Sequence, residues 1–173
     1  PPARVTGGIG TYSRALAGLL TKSGGHEVHV FCQGDGIEKY SAGEEIHPVV
    51  GWSPRGRPGR YLYYRLMNLL GPVSYRVRWG IAVGEAIRKT ERLFGRKFDV
   101  VEVPEAGGYG VLLRLARVRS PLLVRLHAGT AILRRHSHQR MDFKDCLIAR
   151  LERWSVERAD LVTSPSRALV RES

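Results

Sequence analysis

The chain has 173 residues, of which 43% are hydrophobic and 25% charged; this excludes a disordered or fibrous protein and suffices for one domain with its own core. Lys and Arg number 28 against 16 Asp and Glu, a net charge of +12, and such a field attracts nucleotide phosphates, nucleic acid and acidic lipid alike without selecting among them. Cys32 and Cys146 form no CxxC or Cys/His spacing, which argues against a structural zinc or a disulfide scaffold and for two reduced thiols in a cytosolic protein.

The chain opens "PPARVTGGIGTYSRALAGLL". Pro1-Pro2 reads as the tail of a loop whose preceding element lies outside the sequence, so the chain is expected to be a fragment. From Thr11, the residues Tyr12, Ala15, Leu16, Leu19 and Leu20 recur at helical steps and predict a helix with one apolar face, ended by Gly24-Gly25. "HEVHVFC" alternates and is rich in β-branched residues, predicting a strand; "IHPVVGW" predicts a second one, confined to an edge by Pro48. A basic loop beginning "SPRGRPGR" leads into Leu62, Leu66, Leu69, Val73 and Val77 at helical spacing, interrupted at Gly71-Pro72. A further helix is expected from about Trp79 to about Leu93.

"FDVVEVPEAGGYG" reads as a buried strand closed by a glycine-rich loop, followed by a helix near Val111 to Arg117. "PLLVRLHAGT" is another strand and loop, a helix with Leu147, Leu151 and Trp154 on one face follows, and "ADLVTSPS" is a last strand running into a helix whose N-cap is Ser166. Strands alternating with helices throughout predict an α/β fold with a mostly parallel sheet. No helical stretch has the run of about eighteen apolar residues needed to cross a membrane.

In parallel sheets ligands gather beyond the carboxyl ends of the strands, so the loops after strands hold the candidates. Gly7, Gly8 and Gly10 precede or open the first helix, where backbone N–H groups and the positive end of the helix dipole can receive an anion or simply make a tight turn. His127 closes a strand just before Ala128-Gly129-Thr130, a position from which an imidazole can hydrogen-bond a substrate hydroxyl or move a proton. Glu105, with Gly107 and Gly108 behind it, can bind sugar hydroxyls, act as a base or cap the next helix. His26, His29, His47, His136 and His138 are given structural roles, and no metal-ligand set is expected. No GxSxG elbow surrounds Ser164 or Ser166, which leaves a hydrolase triad unsupported.

Taken together, "GGIGTYSRALAGLLTKSGGHEVHVF", "FDVVEVPEAGGYG", "LLVRLHAGT" and "ERADLVTSPSRAL" resemble the N-terminal half of glycosyltransferase family 4 enzymes. These are retaining nucleotide-sugar transferases of GT-B fold, and the resemblance spans nearly the whole chain in the family's order. It implies a Rossmann-like, three-layer α/β/α domain over residues 1–173, one half of the GT-B fold, with its first strand just before Pro1. The C-terminal, donor-binding domain would lie outside this sequence, so the isolated chain is expected to be inactive. The resemblance assigns Gly7, Gly8, Gly10 and Thr11 to the donor diphosphate and acceptor, His127 to the donor sugar as the catalytic-site histidine, and Glu105, Gly107 and Gly108 to the acceptor side. It also implies that no cofactor or metal is needed, that the partners are a nucleotide-sugar and a carbohydrate or lipid-linked acceptor, and that the location is cytoplasmic.

The segment Arg55 to Arg78, with Arg60, Tyr64 and Arg78 opposite its apolar face, suits either a core helix with a solvated side or peripheral contact with an anionic membrane at its inner face. Two rival functions stand beside sugar transfer. One is a non-catalytic α/β module that holds a nucleotide or phosphate on the same glycine loop. The other, a nucleic-acid binder, has only the net charge in its favour and no reading motif.

Overall fold

The computed structural model describes residues 8–33, 45–49, 65 and 70–172, and the chain divides into two compact units, Pro1–Val50 and Gly51–Ser173. In the first unit, α1 (Gly8–Ser23) is followed by two parallel strands, β1 (His29–Gln33) and β2 (Glu45–Val49), with His29 opposite Glu45 and Gln33 opposite Val49. The helix starts at Gly8, three residues before the expected start at Thr11, so Gly8 and Gly10 lie inside its first turn. Its inner face also differs from the expected one: Ala17 is buried and Tyr12, Leu16 and Leu20 are half-buried, while Ala15 and Leu19 are exposed. A strict four-residue step through Tyr12, Leu16 and Leu20 leaves Ala15 and Leu19 about 100° off that stripe. Gly24 and Gly25 end the helix as expected, at φ +74° and +78°, a left-handed conformation that glycine adopts without steric cost. Pro48 pairs with Cys32, and among the described residues β2 has β1 as its one neighbour, the edge setting that a residue without an N–H tolerates.

The second unit holds α2 (Pro72–Phe94), β3 (Val101–Pro104), α3 (Tyr109–Leu115), β4 (Leu122–Arg125), α4 (Thr130–His136), α5 (Phe143–Glu157), β5 (Leu161–Thr163) and α6 (Arg167–Glu172). Its three strands form one parallel sheet in the order β3-β4-β5, so every described strand pair is parallel, as an α/β fold requires. The expected break at Gly71-Pro72 is where α2 begins: Gly71 takes φ +50° and Pro72 opens the helix, a position where its missing N–H costs nothing. The helix therefore starts seven residues before Trp79. Leu62, Leu66, Leu69, Arg60 and Tyr64 lie outside the described residues, as does Gly7.

The core of this unit is built from Ile87 of α2, Leu112 and Leu113 of α3, and Leu122 and Val124 of β4, all fully buried. Helices α2 and α3 can approach closely because Gly80 and Gly84 stand one turn apart on the facing side of α2. A Cβ at Gly80 would sit 2.7 Å from the Leu112 Cβ, and one at Gly84 would sit 2.4 Å from the Ala116 Cβ. Neither neighbour is the movable tip of a long side chain.

The buried face of α5 is Asp145, Ile148, Glu152 and Ser155, one residue over from the expected Leu147, Leu151 and Trp154, which are half-buried. Trp154 instead lies against Arg150 and Arg158, whose guanidinium carbons are 4.8 Å and 5.7 Å from its ring centre. Ser166 is the N-cap of α6, its Oγ accepting from the Leu169 N–H at 3.2 Å. No described helix is long and apolar enough to cross a membrane.

The glycine contacts set a test of the α2–α3 crossing. Gly84→Ala should gain about 1 kcal/mol of helix propensity yet lose more to overpacking, about 1–3 kcal/mol, and so destabilise the protein in urea. A stabilised Gly84→Ala would show that the two helices are farther apart than described here.

Candidate functional site

Two loops at the carboxyl ends of neighbouring parallel strands are joined in the second unit: residues 105–108 after β3 and residues 126–129 after β4. The carboxylate that joins them is Glu152, from the middle of α5. Only 4% of Glu152 is exposed. Its Oε1 accepts from the Gly107 N–H at 2.9 Å and the Thr130 hydroxyl at 2.9 Å, and its Oε2 accepts from the Thr130 N–H at 2.7 Å. Gly129, the N-cap residue of α4, has no side chain to cap with, so a carboxylate from another helix caps α4 instead. Ser155, one turn further along α5, accepts from the Val111 N–H at 2.9 Å while donating to the Leu151 carbonyl.

Glu105 lies beneath the second loop, 6% exposed, with its Oε2 accepting from the His127 N–H at 3.3 Å. Burial holds its carboxyl above the usual carboxylate range, opposed by that N–H and reinforced by the nearby Glu152 charge. A Cβ on Gly129 would come within 2.7 Å of Glu105 Oε1 and 3.0 Å of Glu152 Oε2, so the absence of a side chain there lets both carboxylates reach the loop. Gly107 and Gly108 take φ +95° and +70°, and a Cβ on Gly108 would strike the Leu151 backbone carbon at 2.8 Å. These two glycines serve the turn and the close approach of α5.

His127 is half-buried. Burial lowers its imidazole pKa below its ordinary value, the Arg125 charge lowers it further, and Glu102 raises it, so the ring is neutral at physiological pH. The next residue, Ala128, has φ +117°, a conformation in which a side chain is strained and which the loop imposes from both sides. Beside this assembly a cavity of about 330 Å³ is lined by Arg76, Thr130, Arg134, Asp142, Lys144 and Asp145 among others. Its charges of both signs suit a polar occupant. Arg134 is itself clamped by Asp145, at 2.9 Å and 3.1 Å, and Asp145 closes a capping box with Asp142.

The sequence-predicted residues thus fall in separate places. Glu105, Gly107, Gly108 and His127 belong to one pair of loops in the second unit. Gly8, Gly10 and Thr11 occupy the first turn of α1 in the first unit, where no described atom lies within 4 Å of a Cβ placed on Gly8. Glu152 and Ser155, which hold the loops, are not indicated by the sequence motifs, and Gly129 is indicated there only as part of the loop after His127. The available signal was the three-, four- and three-residue spacing of Asp145, Ile148, Glu152 and Ser155, a helical stripe hidden because three of its four members are polar.

Parallel strands alternating with helices, with a glycine-rich loop after β3 and a histidine on the loop after β4, define an α/β protein, the class in which ligands gather beyond the carboxyl ends of the strands. Comparison with known families matches residues 7–173 to the glycosyl transferase 4-like domain, and the chain belongs to that family. No curated protein and no solved structure gives a significant match.

Two outcomes follow from the carboxylates. Glu152→Ala strands the Gly107 and Thr130 N–H groups in the interior and should cost on the order of 3 kcal/mol; Glu152→Gln, which keeps one accepting oxygen, should cost less, and equal losses in denaturant titrations would contradict the capping role. For Glu105, a raised folded-state pKa means that its contribution to stability is present below the unfolded carboxylate value and is lost as pH rises through the raised one. Glu105→Gln should therefore gain on the parent in Tm between about pH 4.5 and pH 7. Asp145 and Asp160, whose pKa values are lowered mainly by the Arg134 side chain and the Leu122 N–H respectively, have the opposite sign but are common to both proteins and cancel in the difference.

Proposed function

We propose that this domain is the acceptor-side half of a retaining glycosyltransferase, which moves a sugar from a nucleotide-sugar to an acceptor hydroxyl on a glycan, a lipid or a small molecule. The family membership supports the reaction class, and the observation that carries the choice of residues is the position of His127, neutral and half-buried, on a loop tied down by Glu105 and Glu152. A hydroxyl attacks the anomeric carbon, the bond to the diphosphate breaks, the hydroxyl proton passes to the departing diphosphate oxygen, and configuration is retained. In this reading a neutral His127 hydrogen-bonds a donor sugar hydroxyl and fixes the ring for attack. The first turn of α1 serves the leaving diphosphate. A helix leaves the N–H groups of its first residues without intrahelical acceptors, and α1 opens with Gly8, Ile9 and Gly10, so in this reading amides at that end meet the developing negative charge.

Glu105 is buried beneath the loop, which favours a positioning role over contact with the acceptor and leaves Gly107 and Gly108 to shape the acceptor side. The reading places the enzyme in the cytoplasm and requires no metal for departure of the diphosphate.

The test is a panel of nucleotide-sugars assayed with the full-length gene product, followed by His127→Ala. Loss of the histidine should lower kcat about 100-fold or more with the fold intact by circular dichroism. The parent's rate should hold as pH falls through 6.5, the ordinary histidine value, and drop only below it. Nucleotide binding without turnover would instead favour the non-catalytic phosphate-binding module, and an active His127→Ala would remove the histidine from the mechanism.

A further inference from the structure

The amino ends of β1 and β2 carry a second cluster of chemistry-bearing side chains that the transferase reading leaves unused. Parallel pairing sets Glu45 opposite His29 and His47 opposite Phe31. Because side chains two apart on a strand share a face, His29, Glu45 and His47 come to the same side. His29 Nδ1 is 2.9 Å from His47 Nε2 and 3.5 Å from Glu45 Oε2, and His47 Nε2 is 3.7 Å from Glu45 Oε1. We infer that His29 Nδ1, His47 Nε2 and the Glu45 carboxylate form a binding site for one divalent transition-metal ion of the zinc class.

Zinc held at about 2.0–2.1 Å by nitrogen in a tetrahedron separates its ligand atoms by about 3.3 Å. The two nitrogens face different Glu45 oxygens, at 3.5 Å and 3.7 Å, so the carboxylate turns to present one of them to the ion, and the two ring nitrogens, 2.9 Å apart in rings 20° from parallel, part by a few tenths of an ångström as the rings tilt. Three protein ligands, two of them imidazoles, exclude magnesium and calcium, which demand oxygen. The carboxylate edge is exposed while the His29 side chain is 3% exposed, which gives the ion an entry path and leaves a coordination position for water.

The arrangement around the rings is what a built site needs. His29 Nε2 meets Glu27 Oε1 at 2.8 Å, a carboxylate partner that keeps the proton on Nε2 and turns the Nδ1 lone pair toward the cluster. Glu27 is thus a positioning residue. His47 is held by stacking on Phe31, with ring centres 4.6 Å apart and planes 15° from parallel. His47 Nε2 and His29 Nδ1 share a hydrogen bond at 2.9 Å whose donor is set by the ring tautomers; with the His47 proton on Nδ1, Nε2 serves the ion with no net change in charge on the ring. An ion here would bridge β1 to β2 at the amino ends of the two strands.

The experiment is titration of the full chain, stripped with a chelator, with Co²⁺. One ion per chain should bind, with visible bands of four-coordinate geometry that Zn²⁺ abolishes and Mg²⁺ leaves unchanged. His47→Gln should weaken binding ~100-fold and Glu27→Gln ~10-fold, as loss of a ligand and of its outer partner do. A His136→Gln, His138→Gln double variant should bind as the parent does. Failure to bind Co²⁺ below millimolar concentration, or binding unaffected by His47→Gln, overturns the site. Should His47→Gln not fold, paramagnetic broadening of amide signals in the parent decides: broadening centred on residues 27–31 and 45–47 upholds the site, and broadening elsewhere refutes it.

Discussion

The second unit depends on one carboxylate. Glu152 reaches from α5 to the Gly107 N–H in the loop after β3 and to the Thr130 N–H and hydroxyl after β4, so three segments distant in sequence are fixed by two oxygens. A buried carboxylate is costly unless it is hydrogen-bonded and paired; here the Arg76 guanidinium lies 3.9 Å from Oε1, and three donors reach the carboxylate. The same contact substitutes for the cap that Gly129 cannot supply. The rigid strand ends, the short helix α4 and the strained Ala128 follow from it: a loop held at Thr130 by Glu152 and at His127 by Glu105 has no freedom to relax a φ of +117°.

Glu105 and Glu152 divide the labour in a way that their environments set. Both are buried acids below one loop, and both come within 3.0 Å of where a Gly129 side chain would begin. Glu152 has three donors. Glu105 has one backbone donor at 3.3 Å, and its pKa rises through burial and through proximity to its neighbour. Glu105 supports the main chain of His127 through that one hydrogen bond.

How much of this was legible depends on which residues carried the signal. The parallel α/β class, the carboxyl-end loops and the Ser166 cap were readable because β-branched runs, glycine clusters and a Ser at a helix start each have one dominant structural meaning. The break at Gly71-Pro72 was readable as a break but not as the start of a 23-residue helix, since the residues that follow Pro72 include Arg76 and Arg78 alongside glycines. Least legible was α5. Hydrophobic periodicity points to Leu147, Leu151 and Trp154, whereas the buried stripe carries Asp145, Glu152 and Ser155, chosen for the donors they satisfy. Amphipathic patterning locates faces that bury apolar atoms, and this face buries hydrogen bonds.

The glycines separate for the same reason. Gly107 and Gly108 are required by positive φ, Gly129 by two carboxylates at its back, and Gly80 and Gly84 by the neighbouring helix. Gly8 belongs to none of these groups: it is helical, it does not take positive φ, and no described atom would meet its Cβ. Glycine in a helix forfeits about 1 kcal/mol relative to alanine, so a position where neither conformation nor described packing asks for it is a net loss to the fold alone. The general use of a bare Cα at such a position is the close approach of another group to the main chain.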